Sequence, residues 1–119
     1  MTLTDVSVPA INKTQVYISG ALHGDERVGP HVAYYLIEYL ASNFGKDPYV
    51  TRLLAEREIV ITPMTNAVGF ARNMREELTS GMRNYDLKTI DINRDFPYNN
   101  DEDNCLNSVA GRVVYKLFA

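Results

Sequence analysis

The sequence predicts an α/β fold with parallel strands, on three observations. Gln15 to Gly20 is a β-branched and aromatic run that ends in glycine. Two stretches of helical periodicity follow it, and Glu58 to Thr62 is a second β-branched run, closed by Pro63. Strand, helix, helix, strand makes a crossover unit, and parallel strands joined in this way normally lie in a sheet covered on both faces.

The bulk numbers bound the class. A chain of 119 residues holds one domain and leaves no room for a second. Apolar residues make up 45% and charged residues 23%, a globular balance rather than a disordered one. Twelve Lys plus Arg against fifteen Asp plus Glu give a net charge of −3, which argues against a nucleic-acid platform. No apolar run approaches the ~18–20 residues of a membrane span. Met1 to Asn12 lacks the basic and apolar regions of a signal peptide. The single Cys105 excludes an internal disulfide framework and any cysteine-based zinc finger. Compartment is left open.

Each element has its own local reason. The first strand, Gln15 to Gly20, reads as buried. Pro30 has the fixed φ suited to a first helical turn, and Val32, Ala33, Leu36, Ile37 and Leu40 follow at helical spacing to about Ser42. Tyr34, Tyr35 and Tyr39 ride the same helix and are expected to cover the sheet. Asn43 to Gly45 ends it, and Asp47-Pro48 supplies the cap and first turn of a shorter helix to about Glu56. From Met64 to Asn104 periodicity fades, in a segment rich in Asn, Arg, Asp and Gly, with Ile90 to Ile92 as a candidate short strand. Leu106, Val109, Ala110, Val113, Val114 and Leu117 form an apolar stripe on a last helix, with Asp103 or Asn104 as its cap.

Three clusters carry chemistry. His23-Gly24-Asp25-Glu26 directly follows the first strand, where open α/β sheets gather ligands. An imidazole and a carboxylate three residues apart can face one cation across a tight turn, Gly24 lets the backbone bend there, and nitrogen plus oxygen suits zinc. By itself such a pair is more often an exposed polar loop. In Asp91 to Pro97, Asn93 and Arg94 offer an amide beside a planar fork of donors, a pairing suited to a carboxylate; alone, the stretch reads as a surface turn. Gly81 to Asn84 adds Arg83, and five of the eight arginines fall between Arg57 and Arg94. That bias fits anion recognition and equally fits surface pairing with Glu76 and Glu77.

Taken in order, the strand with HGDE and its helix, Pro63 to Phe70 (PMTNAVGF), Met82-Arg83-Asn84 and Asp91 to Pro97 (DINRDFP) resemble the zinc carboxypeptidase family. They are most like the subgroup of carboxypeptidases N, E, M and D, whose blocks read P-x-x-N-P-D-G-Y and D-L-N-R-N-F-P. The resemblance runs from about Val16 to Phe118. It implies an α/β/α sandwich around a mixed, mostly parallel sheet, and removal of a C-terminal amino acid from a peptide or protein by a zinc-bound water. It places His23 and Glu26 on two zinc ligands and Asp91 on the carboxylate that holds the ligand histidine. Arg83 falls on the arginine that stabilises the oxyanion, and Asn93 with Arg94 on the clamp for the terminal carboxylate.

Three departures qualify the likeness. Ala67 and Val68 replace Pro and Asp in a motif that shapes a turn, and Asp95 replaces an Asn. The family's third zinc ligand and catalytic glutamate have no counterpart within these 119 residues, where the one other histidine is His31. The expectation is thus a partial catalytic domain over residues 1–119, inactive by itself, with an exposed sheet edge open to self-association. A deacylase of the aspartoacylase and succinylglutamate desuccinylase type remains an alternative, as does a non-catalytic module that binds peptide C-termini.

Overall fold

A computed structural model describes residues 1–78, 89–96 and 108–118. They fall into two compact units: Met1–Gly20 with Val28–Pro63, and Ala21–Arg27 with Met64–Ala119.

The first unit contains β1 (Thr2–Leu3), a 3-10 turn at Ala10–Asn12, β2 (Thr14–Ser19), α1 (Val28–Asn43), α2 (Pro48–Glu56) and β3 (Arg57–Thr62). Its sheet is mixed, in the order β1-β3-β2. β2 runs parallel to β3, from Thr14 opposite Arg57 to Ser19 opposite Thr62, as the crossover pattern predicts. β1 is antiparallel to β3 and was not foreseen, since two residues carry no periodicity. It is held from outside itself. The Met1 ammonium donates to the Ile61 carbonyl at 2.9 Å, and Lys13 donates to Thr4 Oγ1 at 2.7 Å and to the Leu54 carbonyl at 3.2 Å.

Alternation in β3 sends Ile59 and Ile61 into a core with Ala33 and Leu40 of α1 and Val50 and Leu54 of α2. Asp47 caps α2 as expected, its Oδ1 accepting from the Tyr49 and Val50 amides at 2.7 and 3.1 Å, with Pro48 in the first turn. Two expectations need correction. β2 is not a buried strand: it lies at the end of the described sheet, with Val16 37% exposed. Nor do the α1 tyrosines cover the sheet. Ala33, Leu36, Ile37 and Leu40 already fill that face, so Tyr34, Tyr35, Tyr39 and Val32 point outward.

The second unit contains α3 (Ala67–Arg72), β4 (Glu77–Leu78), β5 (Thr89–Ile90), a 3-10 turn at Ile92–Arg94 and α4 (Val109–Phe118). The segment where periodicity fades therefore includes a helix, too short for periodicity to register. β5 pairs antiparallel with β4 and stops at Ile90, so the candidate strand at 90–92 gives way to the turn after Asp91. α4 forms where its apolar stripe predicts, while Asp103, Asn104 and Leu106 lie outside the described residues.

The N-terminus of α4 is bound by distant carboxylates. Asp95 Oδ2 accepts from the Ser108 amide at 2.6 Å and its hydroxyl at 2.7 Å. Glu77 accepts from the Val109 and Ala110 amides at 2.6 and 2.9 Å, and Ser108 Oγ from Gly111 at 3.0 Å. Amide donors that a helix start leaves unsatisfied thus all find oxygen. Gly111 is required there, because a Cβ would sit 2.5 Å from Ser108 Oγ. No described helix is long and apolar enough to cross a membrane.

Candidate metal centre

The metal-type residues of the sequence meet in the second unit, around His23, which is 5% exposed. Its turn is shaped by its neighbours. Ala21 takes a left-handed φ of 43°, costly for a residue with a side chain, and its carbonyl accepts from the Asn66 amide at 2.9 Å. The Gly24 amide donates to the Arg75 carbonyl at 3.0 Å, and the Glu26 amide to the His23 carbonyl at 3.3 Å. Gly24 is needed for close approach: a Cβ would lie 2.1 Å from the Gly69 carbonyl carbon and 2.3 Å from the Met74 carbonyl oxygen. A left-handed bend is not the reason, since Gly45 holds the one positive glycine φ among the described residues.

α3 is the wall this turn packs on, and Asn66 builds it. Asn66 Oδ1 accepts from the Gly69 amide at 2.9 Å as an N-cap, while Nδ2 donates to the Arg75 carbonyl at 3.3 Å. The block that replaces Pro and Asp by Ala67 and Val68 is therefore the start of a helix rather than a simple turn. Arg27 stacks its guanidinium 4.1 Å from the centroid of the Phe70 ring and donates to Asn73 Oδ1 at 2.8 Å, bracing the residue next to Glu26.

Both nitrogens of the His23 ring face carboxylates. Nε2 stands 2.9 Å from Asp91 Oδ1 and Nδ1 stands 3.0 Å from Glu26 Oε1. Asp91 is held in turn: Oδ1 accepts from the Asn93 amide at 3.0 Å, and fully buried Ile92 anchors the turn. A neutral imidazole carries a single N–H. With that proton donated to Asp91, Nδ1 and Glu26 are two acceptors in contact, a pairing that needs a proton or a cation. Burial works against a charged ring, but the hydrogen bonds to Asp91 and Glu26 and the Asp91 charge prevail, raising the His23 pKa above its ordinary 6.5. Burial works against a charged Asp91 too, yet the His23 hydrogen bond, the Asn93 amide and the charges of His23 and Arg75 hold it below 3.8.

The donor set fits zinc. Two ligand atoms on a tetrahedral zinc at ~2.0–2.2 Å each lie about 3.4 Å apart, a few tenths beyond the separation of Nδ1 and Oε1. Asp91 faces the other nitrogen, across the ring from Glu26. Among the described residues no group of three or more His, Cys, Asp and Glu is placed to hold a metal, and His31 lies exposed on α1.

Asn93 and Arg94 stand exposed on the 3-10 turn directly after Asp91. Arg83 lies outside the described residues. The structure adds Arg75, whose Nη1 is 3.5 Å from Glu26 Oε1 and Nη2 3.8 Å from Asp91 Oδ2. In the sequence Arg75 stands out only as one of a run of arginines. Of the two readings open for that run, pairing with Glu76 and Glu77 is not what Arg75 does: its partners are Glu26 and Asp91, while Glu77 caps α4 and Glu76 accepts from Thr89.

Comparison with known proteins identifies the family and the fold. A chain of 78 aligned residues is 37% identical to carboxypeptidase D of Mus musculus, covering 66% of this chain and 6% of that protein. Carboxypeptidase M of Mus musculus is 38% identical over 78 residues, covering 64% of this chain and 17% of that protein. The matched stretch thus spans less than a fifth of these relatives' length. The crystal structure of thrombin activatable fibrinolysis inhibitor matches with a TM-score of 0.67 at 22% identity, over 81% of this chain and 25% of that one, a likeness of fold. The family model for zinc carboxypeptidases matches residues 3–116, nearly the whole sequence, and the chain belongs to the zinc carboxypeptidase family.

Proposed function

We propose that this chain supplies the first half of a zinc carboxypeptidase site, binding one face of a zinc ion and the C-terminal carboxylate of a peptide or protein substrate. The observation that carries the reading is the His23 ring set between two carboxylates, with Nε2 on Asp91 and Nδ1 on Glu26. His23 and Glu26 would hold the metal, and Asp91 keeps the ring in the tautomer whose Nδ1 lone pair faces it. The chemistry a zinc ion would supply there is polarisation of a carbonyl and a lowered pKa for a water.

The other residues recognise the substrate. Arg94 offers a planar fork and Asn93 an amide, both exposed on the turn that Asp91 caps, and together they suit a terminal carboxylate. A clamp of this kind selects chain ends, because an internal peptide bond carries no carboxylate. Arg83 is assigned the oxyanion that forms when water attacks the scissile carbonyl.

Residues 1–119 are, in this reading, part of a catalytic domain and hydrolyse no peptide by themselves. Two ligands would hold zinc loosely, and among the described residues no carboxylate is singled out by the structure as the general base that water attack requires. β2, at the end of the described sheet, is the edge through which copies self-associate.

The experiment is a paired titration of this chain. Calorimetry with zinc at neutral pH gives an affinity of about micromolar or weaker, since a closed site takes four ligands, and His23→Ala abolishes it. In NMR titrations an acetylated dipeptide with a free C-terminus shifts Asn93 and Arg94 more than its amide does. Zinc binding that survives His23→Ala would overturn the metal assignment, and equal shifts from acid and amide would overturn the clamp.

A further inference from the structure

We propose that Arg75 is the residue that sets how tightly this cradle holds its metal, by opposing the cation at Glu26; the inference rests on the zinc reading above. Its guanidinium spans the two carboxylates that flank the His23 ring, 3.5 Å from Glu26 Oε1 through Nη1 and 3.8 Å from Asp91 Oδ2 through Nη2. The Glu26 oxygen it approaches is the same one that stands 3.0 Å from Nδ1. A cation bound by Nδ1 and Oε1 must share that oxygen with a positive charge or push it aside.

The placement of Arg75 is structural and does not depend on its side chain. Its carbonyl accepts from the Gly24 amide at 3.0 Å and from Asn66 Nδ2 at 3.3 Å. Just before it, the Met74 amide donates to the Gly69 carbonyl at 2.8 Å, closing the end of α3. The backbone thus joins the ligand turn to the α3 wall, and the guanidinium projects from a fixed point. Substituting the side chain leaves those backbone bonds in place.

The charge balance gives the consequence. Glu26 and Asp91 bring two negative charges to one imidazole, and a pair of carboxylates attracts any divalent cation, including oxygen-seeking calcium and magnesium. Arg75 cancels part of that attraction without touching the nitrogen donor, the contribution that favours zinc. It is a positioning and selectivity residue for the metal, and takes no part in bond making. Arg75 and Glu26 are about half exposed, so water screens the repulsion. A divalent ion and a single charge ~6 Å apart in a water-like dielectric still differ by roughly tenfold in binding.

The test is calorimetry of the whole chain with zinc alone, at low salt, for the unsubstituted protein, Arg75→Gln, Arg75→Lys and His23→Ala. Arg75→Gln binds zinc roughly tenfold more tightly, Arg75→Lys stays within about twofold because it keeps the charge, and His23→Ala loses binding. A residue that merely supported the fold would weaken binding when changed to Gln, so an equal or weaker affinity in Arg75→Gln overturns the proposal. So does equal tightening in Gln and Lys, which would make the fork rather than the charge responsible. Protection of the Gly24 amide from exchange, unchanged in both Arg75 variants, shows that the turn is intact. Zinc binding that survives His23→Ala is a different failure: it removes the cradle itself, whatever the Arg75 variants do.

Discussion

At the scale of single residues, the contacts around His23 make a pH signature. A raised imidazole pKa contributes stability that is complete below 6.5 and is lost as pH rises through the His23 value. A lowered carboxyl pKa contributes stability that is complete above 3.8 and is lost as pH falls through the Asp91 value. With a chelator present, the pair therefore stabilises the second unit fully only between pH 3.8 and 6.5. Urea midpoints measured across that range and beyond should fall on both sides for the unsubstituted chain. His23→Gln should flatten the alkaline arm, and an arm that persists in the variant would assign it to other groups. His23, Glu26 and Asp91 were legible in the sequence because their types and order match a family motif. The roles of Arg75 and Arg27, and the bond from Asn66 to the Arg75 carbonyl, were not, because those contacts reach residues 9 to 49 positions away.

At the scale of elements, α4 shows how a helix can be started from elsewhere in the chain. Its first amides are satisfied by Glu77 and Asp95, which are 32 and 13 residues from their partners. Asp95→Ala removes the acceptor for both the amide and the hydroxyl of buried Ser108 and should cost about 2 kcal/mol, in line with lost caps and orphaned buried donors. Asp95→Asn keeps one acceptor oxygen and should cost about half as much. Hydrogen exchange at the Ala110 and Gly111 amides reads this directly, and unchanged protection in Asp95→Ala would show that Glu77 alone holds the helix start. Asn66→Ala should destabilise by about 1–2 kcal/mol, because Asn66 both caps α3 and donates to Arg75. The replacement of the family's Asn by Asp95 looks minor along the sequence, yet in the fold it places a full charge at a helix N-terminus, where the dipole favours it.

At the scale of the whole molecule, the first unit presents two surfaces a monomer would usually cover: the end strand β2 and the outer stripe of α1. Val28, Val32, Tyr35 and Tyr39 follow one helical face and are 76%, 61%, 67% and 53% exposed. Self-association through β2 predicts a weight-average mass in sedimentation that rises with concentration and falls back with Val16→Lys, a charge on the strand edge. If Tyr35→Glu has that effect and Val16→Lys does not, the helix face is the contact instead. The amino-acid order by itself determined the crossover unit, its two helices, the Asp47 cap, the α4 stripe and the family to which the chain belongs. Those features are written in periodicities and short motifs, which depend on near neighbours. Only the tertiary structure decided that β2 is an end strand, that β1 joins β3, that distant carboxylates start α4, and that Arg75 stands against the His23 cradle. Each of these depends on residues far apart in sequence meeting in space, where burial, charge and hydrogen-bond geometry act together and no local pattern records the outcome.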